Sequence, residues 1–388
     1  LTAEVLGFHT AYDRLRETIF GCNAAHPDIR KERRSLTVEG SPSGEPLRLD
    51  LYRPADLAGS AFASPVGVVA SLGMFAHSTD DTRFNRFCRC LARCGFWVFA
   101  PHHPDLSTYR YAPAAVQRII AAFSHSERLL QKTDDPAARK TTTGGRVGLL
   151  GLCFGGSASL LAAADPTISD RVAFVATFGA PARYRDLVRY AVCGEHGFDK
   201  KTQSERPNAQ WALVALCNLA APLGLASDRD TLSQYTRAVM CGQAKAAAAA
   251  WDALSLRAQA MLSVLATDDR GAKRRLAERA TAAIPQHYRA PADVAAAGKI
   301  RCPVFLFHGR KDRLVPHTQA HVLHAALAHH TRVHRCVSTA GGHTRSARIS
   351  SAKDIPVLFS TLTDTIALWR FFYDLMTVAA VCHKANSI

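Results

Sequence analysis

The stretch "RVGLLGLCFGGSASLLAAADP", residues 146–166, joins a short apolar run to an Ala/Ser/Leu run through a cysteine set among glycines. The first run reads as a buried strand and the second as a helix. The order strand, Gly151-x-Cys153-x-Gly155-Gly156, helix is what a sharp strand-to-helix turn requires. Missing Cβ atoms at Gly151, Gly155 and Gly156 let the chain reverse with Cys153 at its apex. The helix start beyond the turn supplies N–H groups and positive dipole, which lower a thiol pKa and can hold an oxyanion. A small cysteine buried at a close strand–helix packing point would share this pattern, so the rest of the chain has to decide.

Working outward, the segments "RLDLY" (48–52), "VGVVASL" (66–72), "FWVFA" (96–100), "RVAFVATFG" (171–179) and "PVFLFHG" (303–309) are short, apolar or β-branched, and bounded by turn residues. They predict buried, mainly parallel strands. Helical patterns over 81–94, 112–131 and 155–164 alternate with them, as in α/β folds. That rhythm stops near residue 185. From Tyr184 to about Ala290 the chain is Ala- and Leu-rich with helical spacing and no convincing strand, and "AAAAA" at 246–250 is a helix former. The strand pattern resumes at Cys302, so one sheet receives strands from both sides of a helical insertion.

Two further residues fit the chemistry of a cysteine at such a turn. In "FLFHGRKDRLVP" a strand runs into Gly309 and then Asp312, where a carboxylate can orient an imidazole; a helix N-cap before "VPHTQAHVL" is the other use of that residue. In "STAGGHT", His343 lies in a glycine-flanked loop after the strand-like "RVHRCVS" (332–338). The chain order Cys153, Asp312, His343 is nucleophile, acid, base. The imidazole would take the thiol proton while the carboxylate fixes its tautomer and steadies the imidazolium. An oxyanion hole is expected from the backbone N–H of Phe154 and that of Met74, on the loop after "VGVVASLG".

With these residues in place, the chain resembles the α/β-hydrolases, and most closely the dienelactone-hydrolase-like branch, whose nucleophile is also a cysteine in a G-x-C-x-G-G box. The resemblance covers roughly residues 45–185 and 295–375. It implies a mainly parallel eight-stranded sheet with helices on both faces, an active site at the strands' C-terminal edge and hydrolysis of ester-like bonds. Residues 1–185 would hold an N-terminal extension and the first part of the core, 186–290 a helical cap, and 291–388 the second part of the core. Dienelactone hydrolases are small and carry a glutamate near the oxyanion loop that restrains the cysteine. This chain has "LGMFAH" there and about 100 extra residues, so lactone specificity is not implied. The chain is also similar to polyhydroxyalkanoate synthases, which combine the same box with a later Asp and His under an inserted cap. "VFLFHGRKDRLVP" and "GGHT" fit hydrolases at least as well.

Composition bounds the rest. With 388 residues, 48% hydrophobic and 21% charged, the chain can bury a large core. Eleven scattered cysteines and no signal-peptide pattern favour reduced thiols inside a cell. A start at Leu1 is compatible with a removed segment that targets a mitochondrion or other organelle. The net charge of +16, concentrated at "IRKERR" (29–34) and "RGAKRR" (270–275), reads as solvated faces or as a surface for a large protein or ribonucleoprotein assembly. "TIALWRFFYDLMTVAAVC" (365–382) holds Arg370 and Asp374 and predicts an amphipathic helix docked on the core; no transmembrane span is expected. His317, His321 and His324 share a helix face without a carboxylate or cysteine beside them, and Cys88, Cys90 and Cys94 read as packing residues, so no metal is expected. No segment matches a dinucleotide or phosphate-binding loop, and no cofactor is implied. The expected activity is cleavage of a small-molecule acyl ester or thioester. Acyl transfer by the same fold, and a scaffold subunit built on it, are the other readings.

Overall fold

The computed structural model describes residues 29–36, 46–54, 66–111, 113–132, 147–199, 201–285, 288, 290–296, 298–339 and 366–379. Its centre is an eight-stranded sheet in the order β1-β2-β4-β3-β5-β6-β9-β10. The strands are β1 (Ile29–Leu36), β2 (Leu47–Pro54), β3 (Val66–Ser71), β4 (Phe96–Pro101), β5 (Val147–Leu152), β6 (Val172–Phe178), β9 (Val304–Gly309) and β10 (Val333–Ser338). Here β1 and β2 run antiparallel to their neighbours and every other pairing is parallel. A separate hairpin joins β7 (Glu195–Phe198) to β8 (Lys201–Ser204).

The predicted strands become parallel ones because they are apolar on both faces: all six residues of β3 and of β4 are buried. Helices cover both faces. On one side lie α1 (Thr82–Arg93) and a terminal helix over 366–379, and Phe371, Leu375, Met376 and Ala379 of the latter pack into the cluster that holds Phe174 and Phe305. On the other lie α2 (Ala114–Gln131) and α3 (Phe154–Ala163), while α4 (Tyr184–Cys193) and, after the hairpin, α5 (Ala209–Asn218), α6 (Arg229–Met240), α7 (Ala244–Asp252), α8 (Leu256–Ser263) and α9 (Arg270–Ala282) pack chiefly on one another. The set ends with α10 (Pro291–Ala296) and α11 (Thr318–Leu327), and the terminal helix is α12. Local capping sets several of the starts: Asp81 accepts from the N–H groups of Arg83 and Phe84, Asn208 from Trp211, Ser255 from Ala258 and Asp269 from Ala272. Among the described residues no helix is long and apolar enough to cross a membrane.

Two segments take forms that the sequence reading did not include. The basic run at 29–34 makes up most of the partly exposed edge strand β1. Several of its charges are paired within the protein: Arg33 and Lys31 both bind the buried Asp50 on β2, at 2.7 and 3.0 Å, and Glu32 takes Arg34 and Arg53. Ion pairing rather than alternating apolar residues holds this strand, so the usual signal is missing. The segment expected to be wholly helical also contains the β7–β8 hairpin. Its strands are four residues long and β8 is exposed throughout, too short and polar to show a period of two. Gly194 ends α4 at φ +73°, and a Cβ there would lie 1.8 Å from the carbonyl oxygen of Glu205.

The glycine box has a steric basis. A Cβ on Gly155 would stand 2.2 Å from the Ser71 carbonyl oxygen, and one on Gly151 2.3 Å from that of Gly155. Both clashes are with backbone, so Gly155→Ala is expected to lower stability by about 3 kcal/mol or more, at or beyond the upper end of ordinary overpacking. Thermal or urea unfolding measures this; a change under about 0.5 kcal/mol would show that α3 can move off β3. Asp50 supports a second expectation. Burial raises its pKa, but hydrogen bonds from Arg33 and Lys31 outweigh that and hold it below the ordinary value. The pair's contribution is therefore complete above the unfolded Asp range near pH 3.9 and is lost as pH falls through the lower folded value. Asp50→Asn is expected to cost about 2 kcal/mol at pH 7, with a gap from wild type that narrows below pH ~4. A gap independent of pH would contradict it.

Candidate active site

Cys153 occupies the single residue between β5 and α3, with φ +55° and ψ −128°. A β-carbon-bearing residue is seldom held at positive φ unless its surroundings over-determine it. Here they do. Its N–H donates to Phe178 O at 2.8 Å, its carbonyl accepts from Gly156 N at 2.9 Å, and close backbone approaches at Gly151 and Gly155 fix the turn. The thiol is free, and the residue is 2% exposed.

The loop after β3 presses on the same point. A Cβ on Gly73 would lie 2.8 Å from Cys153 Cβ and 2.9 Å from Phe154 N. The peptide leading into the buried Met74 is thereby brought against the first N–H of α3, and helix-start N–H groups have no partner within the helix. Gly73 and Phe154 thus lie against Cys153, in a turn where a Cβ on Gly151, Gly155 or Gly156 would meet its neighbours at 2.8 Å or less.

Asp312 is 3% exposed in the loop after β9. Its Oδ1 accepts from the N–H groups of Leu314 at 2.8 Å and Val315 at 3.0 Å, closing a turn on its own chain. The helix that follows starts at Thr318 with His317 at its N-cap, so Asp312 is not a cap. Its Oδ2 lies 3.4 Å from Nε2 of the buried His308. That nitrogen also sits 2.9 Å from Val315 O, and because a carbonyl only accepts, Nε2 carries the hydrogen. The carboxylate is held from two sides before any other partner reaches it.

Backbone bonds bring these pieces to one edge. Cys153 N bonds Phe178 O, Gly179 N bonds Phe307 O at 2.9 Å, and Arg310 N bonds Ser338 O at 2.7 Å. The C-terminal ends of β5, β6, β9 and β10 therefore line up, with β6 between the strands that carry Cys153 and Asp312. His343, the candidate base, follows β10 and lies outside the described residues.

Several neighbours of the site carried no sequence signal. His103, after β4, is fully buried with Nε2 3.3 Å from Ser71 Oγ, and burial, then Arg118 and His102, push its pKa down to about 3. It is a neutral imidazole packed beside the strand that leads into the Gly73 loop. Only its place just past a parallel strand could have drawn notice. Tyr190 on α4 donates to Glu205 at 2.9 Å and approaches Asp312 O at 3.2 Å, tying the Asp312 loop to the segment that follows β6. Tyr111 and Tyr184, remote in sequence, pack edge-on against Phe154, and Tyr288 packs on both of them. The histidines of α11 are engaged otherwise: Arg335 donates to His321 Nδ1 at 2.6 Å, and His317 packs on His196. Among the described residues no group of His, Cys, Asp or Glu is arranged to hold a metal ion.

No protein-family model matches the chain, and no curated protein sequence matches it. Solved structures do. A candidate dienelactone hydrolase from Klebsiella pneumoniae subsp. pneumoniae MGH 78578 is 14% identical, with 86% of this chain and 97% of that one covered and a TM-score of 0.42. Brefeldin A esterase, a bacterial homologue of human hormone sensitive lipase, is 16% identical over 99% of this chain and 86% of its own, with a TM-score of 0.45. An acylaminoacyl peptidase of Pyrococcus horikoshii is 10% identical over 90% of this chain and 42% of its own, with a TM-score of 0.46. The strand order, the antiparallel second strand and the strand–Cys153–helix elbow establish that the chain adopts the α/β-hydrolase fold.

Proposed function

We propose that the protein is a cysteine hydrolase that cleaves an acyl ester or thioester through an acyl-enzyme. The observation that carries this is the backbone of Cys153, held at φ +55° between two backbone segments whose glycines admit no side chain. A buried cysteine that only filled space would need no such conformation.

In this reading His343 takes the thiol proton and Asp312 orients the ring. The sulfur attacks the acyl carbon, a C–S bond forms, and the carbonyl electron pair moves to oxygen between the N–H groups of Phe154 and Met74. Collapse breaks the bond to the alcohol or thiol, which leaves with the proton from His343. Water, deprotonated by the same imidazole, then attacks the acyl-enzyme and releases acid and thiol. The helices between β8 and β9 act as the cap: Asn218 at the end of α5 binds Tyr111 N at 2.6 Å and Tyr109 O at 2.8 Å, on the loop after β4 at the same sheet edge. A thiol nucleophile suits a reducing compartment inside the cell.

Acyl transfer is the second reading, favoured by the near-complete burial of Cys153, since an acyl-enzyme shielded from water can wait for a bound alcohol or amine.

Mass spectrometry of the full chain mixed with a panel of acyl esters and thioesters is expected to show acyl mass on Cys153. Cys153→Ala should lower turnover by at least ~10³-fold and His343→Ala by a comparable factor. Turnover that survives Cys153→Ala would end the proposal. Brief iodoacetamide treatment gives an independent readout: Cys153 should alkylate faster than the exposed Cys241 once substrate-sized reagents enter, and His343→Ala should slow only Cys153. Equal rates in wild type and His343→Ala would mean that the imidazole does not activate the thiol.

A further inference from the structure

We infer that the groove between α4, the β7–β8 hairpin and α11 is a second binding site, and that it takes a dipeptide with free ends and apolar side chains. A cavity of about 580 Å³ opens there, a size usual for small-molecule sites. Neither Cys153, Met74, Phe154 nor Asp312 lines it, so it stands apart from the proposed reaction.

The walls differ in character. On α4, Arg183, Asp186 and Arg189 face the cavity, spaced three residues apart so that they follow one another along one side of the helix. On α11 the lining is Val322, Ala325 and Ala326, and Ala292 and Phe198 extend this apolar side. The hairpin adds Glu195, Asp199 and Lys201. The walls are pinned to one another. Gln319 of α11, which is buried, accepts from Ala182 N at 2.9 Å and Arg183 N at 3.0 Å, and its Nε2 donates to Asp186 Oδ2 at 3.4 Å. The His196 side chain, 1% exposed, closes the hairpin wall with Nδ1 3.3 Å from Thr318 Oγ1 of α11.

Both signs of charge face this cavity without meeting across it. Glu195 is fully engaged, by Arg189 at 2.9 Å and Arg274 at 2.7 Å. Asp186 has only the amide of Gln319, and Arg183 reaches Asp293 only at 3.9 Å. Among the described residues Asp199 and Lys201 form no ion pair. Opposite charges on a filled surface a few ångströms apart would pair; here the cavity lies between them. A ligand that answers both signs carries an ammonium and a carboxylate, and the apolar wall calls for aliphatic side chains between them. A dipeptide has all three. Asp186 and Asp199 are the acceptors open to its ammonium, Arg183 and Lys201 the cations open to its carboxylate.

Isothermal titration of the full-length protein with leucylleucine is expected to show one site. N-acetyl-leucylleucine, leucylleucinamide and glycylglycine each lack one of the three features and should bind about tenfold more weakly or worse. Ala325→Phe, at an exposed position where a ring would fill the cavity, should abolish binding with Tm little changed. The double variant Asp186→Asn, Asp199→Asn should bind leucylleucine and its N-acetyl form alike while still preferring a free carboxylate, a pattern that a damaged fold would not give. Cys153→Ala should bind as the unaltered protein does. Absence of saturable binding, equal affinity for free and blocked dipeptides, or binding that survives Ala325→Phe overturns the inference. So does loss of binding in Cys153→Ala, which would put the peptide at the Cys153 turn. No readout depends on turnover, so the groove and the proposed reaction are judged separately.

Discussion

The contact on which the rest depends is backbone against backbone, where the first turn of α3 crosses the ends of β3 and β5. Gly155 meets the Ser71 carbonyl and Gly151 meets Gly155 at distances no Cβ could occupy. Because the helix must start that close to the sheet, the one residue between β5 and α3 has no room to turn gradually. Cys153 takes up the whole change of direction at φ +55°, with Gly73 of the neighbouring loop pressed on its Cβ. Site geometry is thus a consequence of packing: α3 cannot shift without removing the strain at Cys153 and the approach of the Gly73 loop together.

The same edge gathers what the chemistry would use through the parallel register of the sheet. Parallel strands end on one side, so the residues that follow β4, β5 and β9 lie along one edge although they are far apart along the chain. Asp312 is fixed by its own turn and by His308. The helical segment between β8 and β9 is bound to this edge through Asn218, and α4, which precedes the hairpin, through the Tyr190 contact with the Asp312 loop. The position of that segment is therefore tied to the sheet edge at which the Cys153 turn lies.

Charge acts differently from its total. A net +16 invites a reading in terms of anionic partners, yet within the run at 29–34 Lys31 and Arg33 bind the buried Asp50 of β2, and Glu32 of the same run takes Arg34 and, from β2, Arg53. "RGAKRR" does lie on an exposed helix face, with Arg274 bound to Glu195 of the hairpin. Net charge counts the excess over the whole chain and does not say which basic residues are paired with a neighbour and which are left over.

The sequence by itself determined the strands that are apolar on both faces, the helices between them and the turn at Cys153, because each of these rests on neighbours within a few residues. Buried parallel strands need continuous apolar runs, and a turn this tight admits only glycine around its apex; both show in the order of residues. Asp312 was legible for the same reason, as the polar residue just past a buried strand. The tertiary structure alone decided β1, whose stability comes from ion pairs with β2 rather than from its own pattern, and the hairpin, too short and polar to display a period. It alone turned Asp312 from a would-be helix cap into a carboxylate pinned by His308, and buried His103 beside Ser71. The packing of three tyrosines on one another is the clearest case: Tyr111, Tyr184 and Tyr288 come from separate elements, and no local spacing can encode contacts that exist only once the chain has folded.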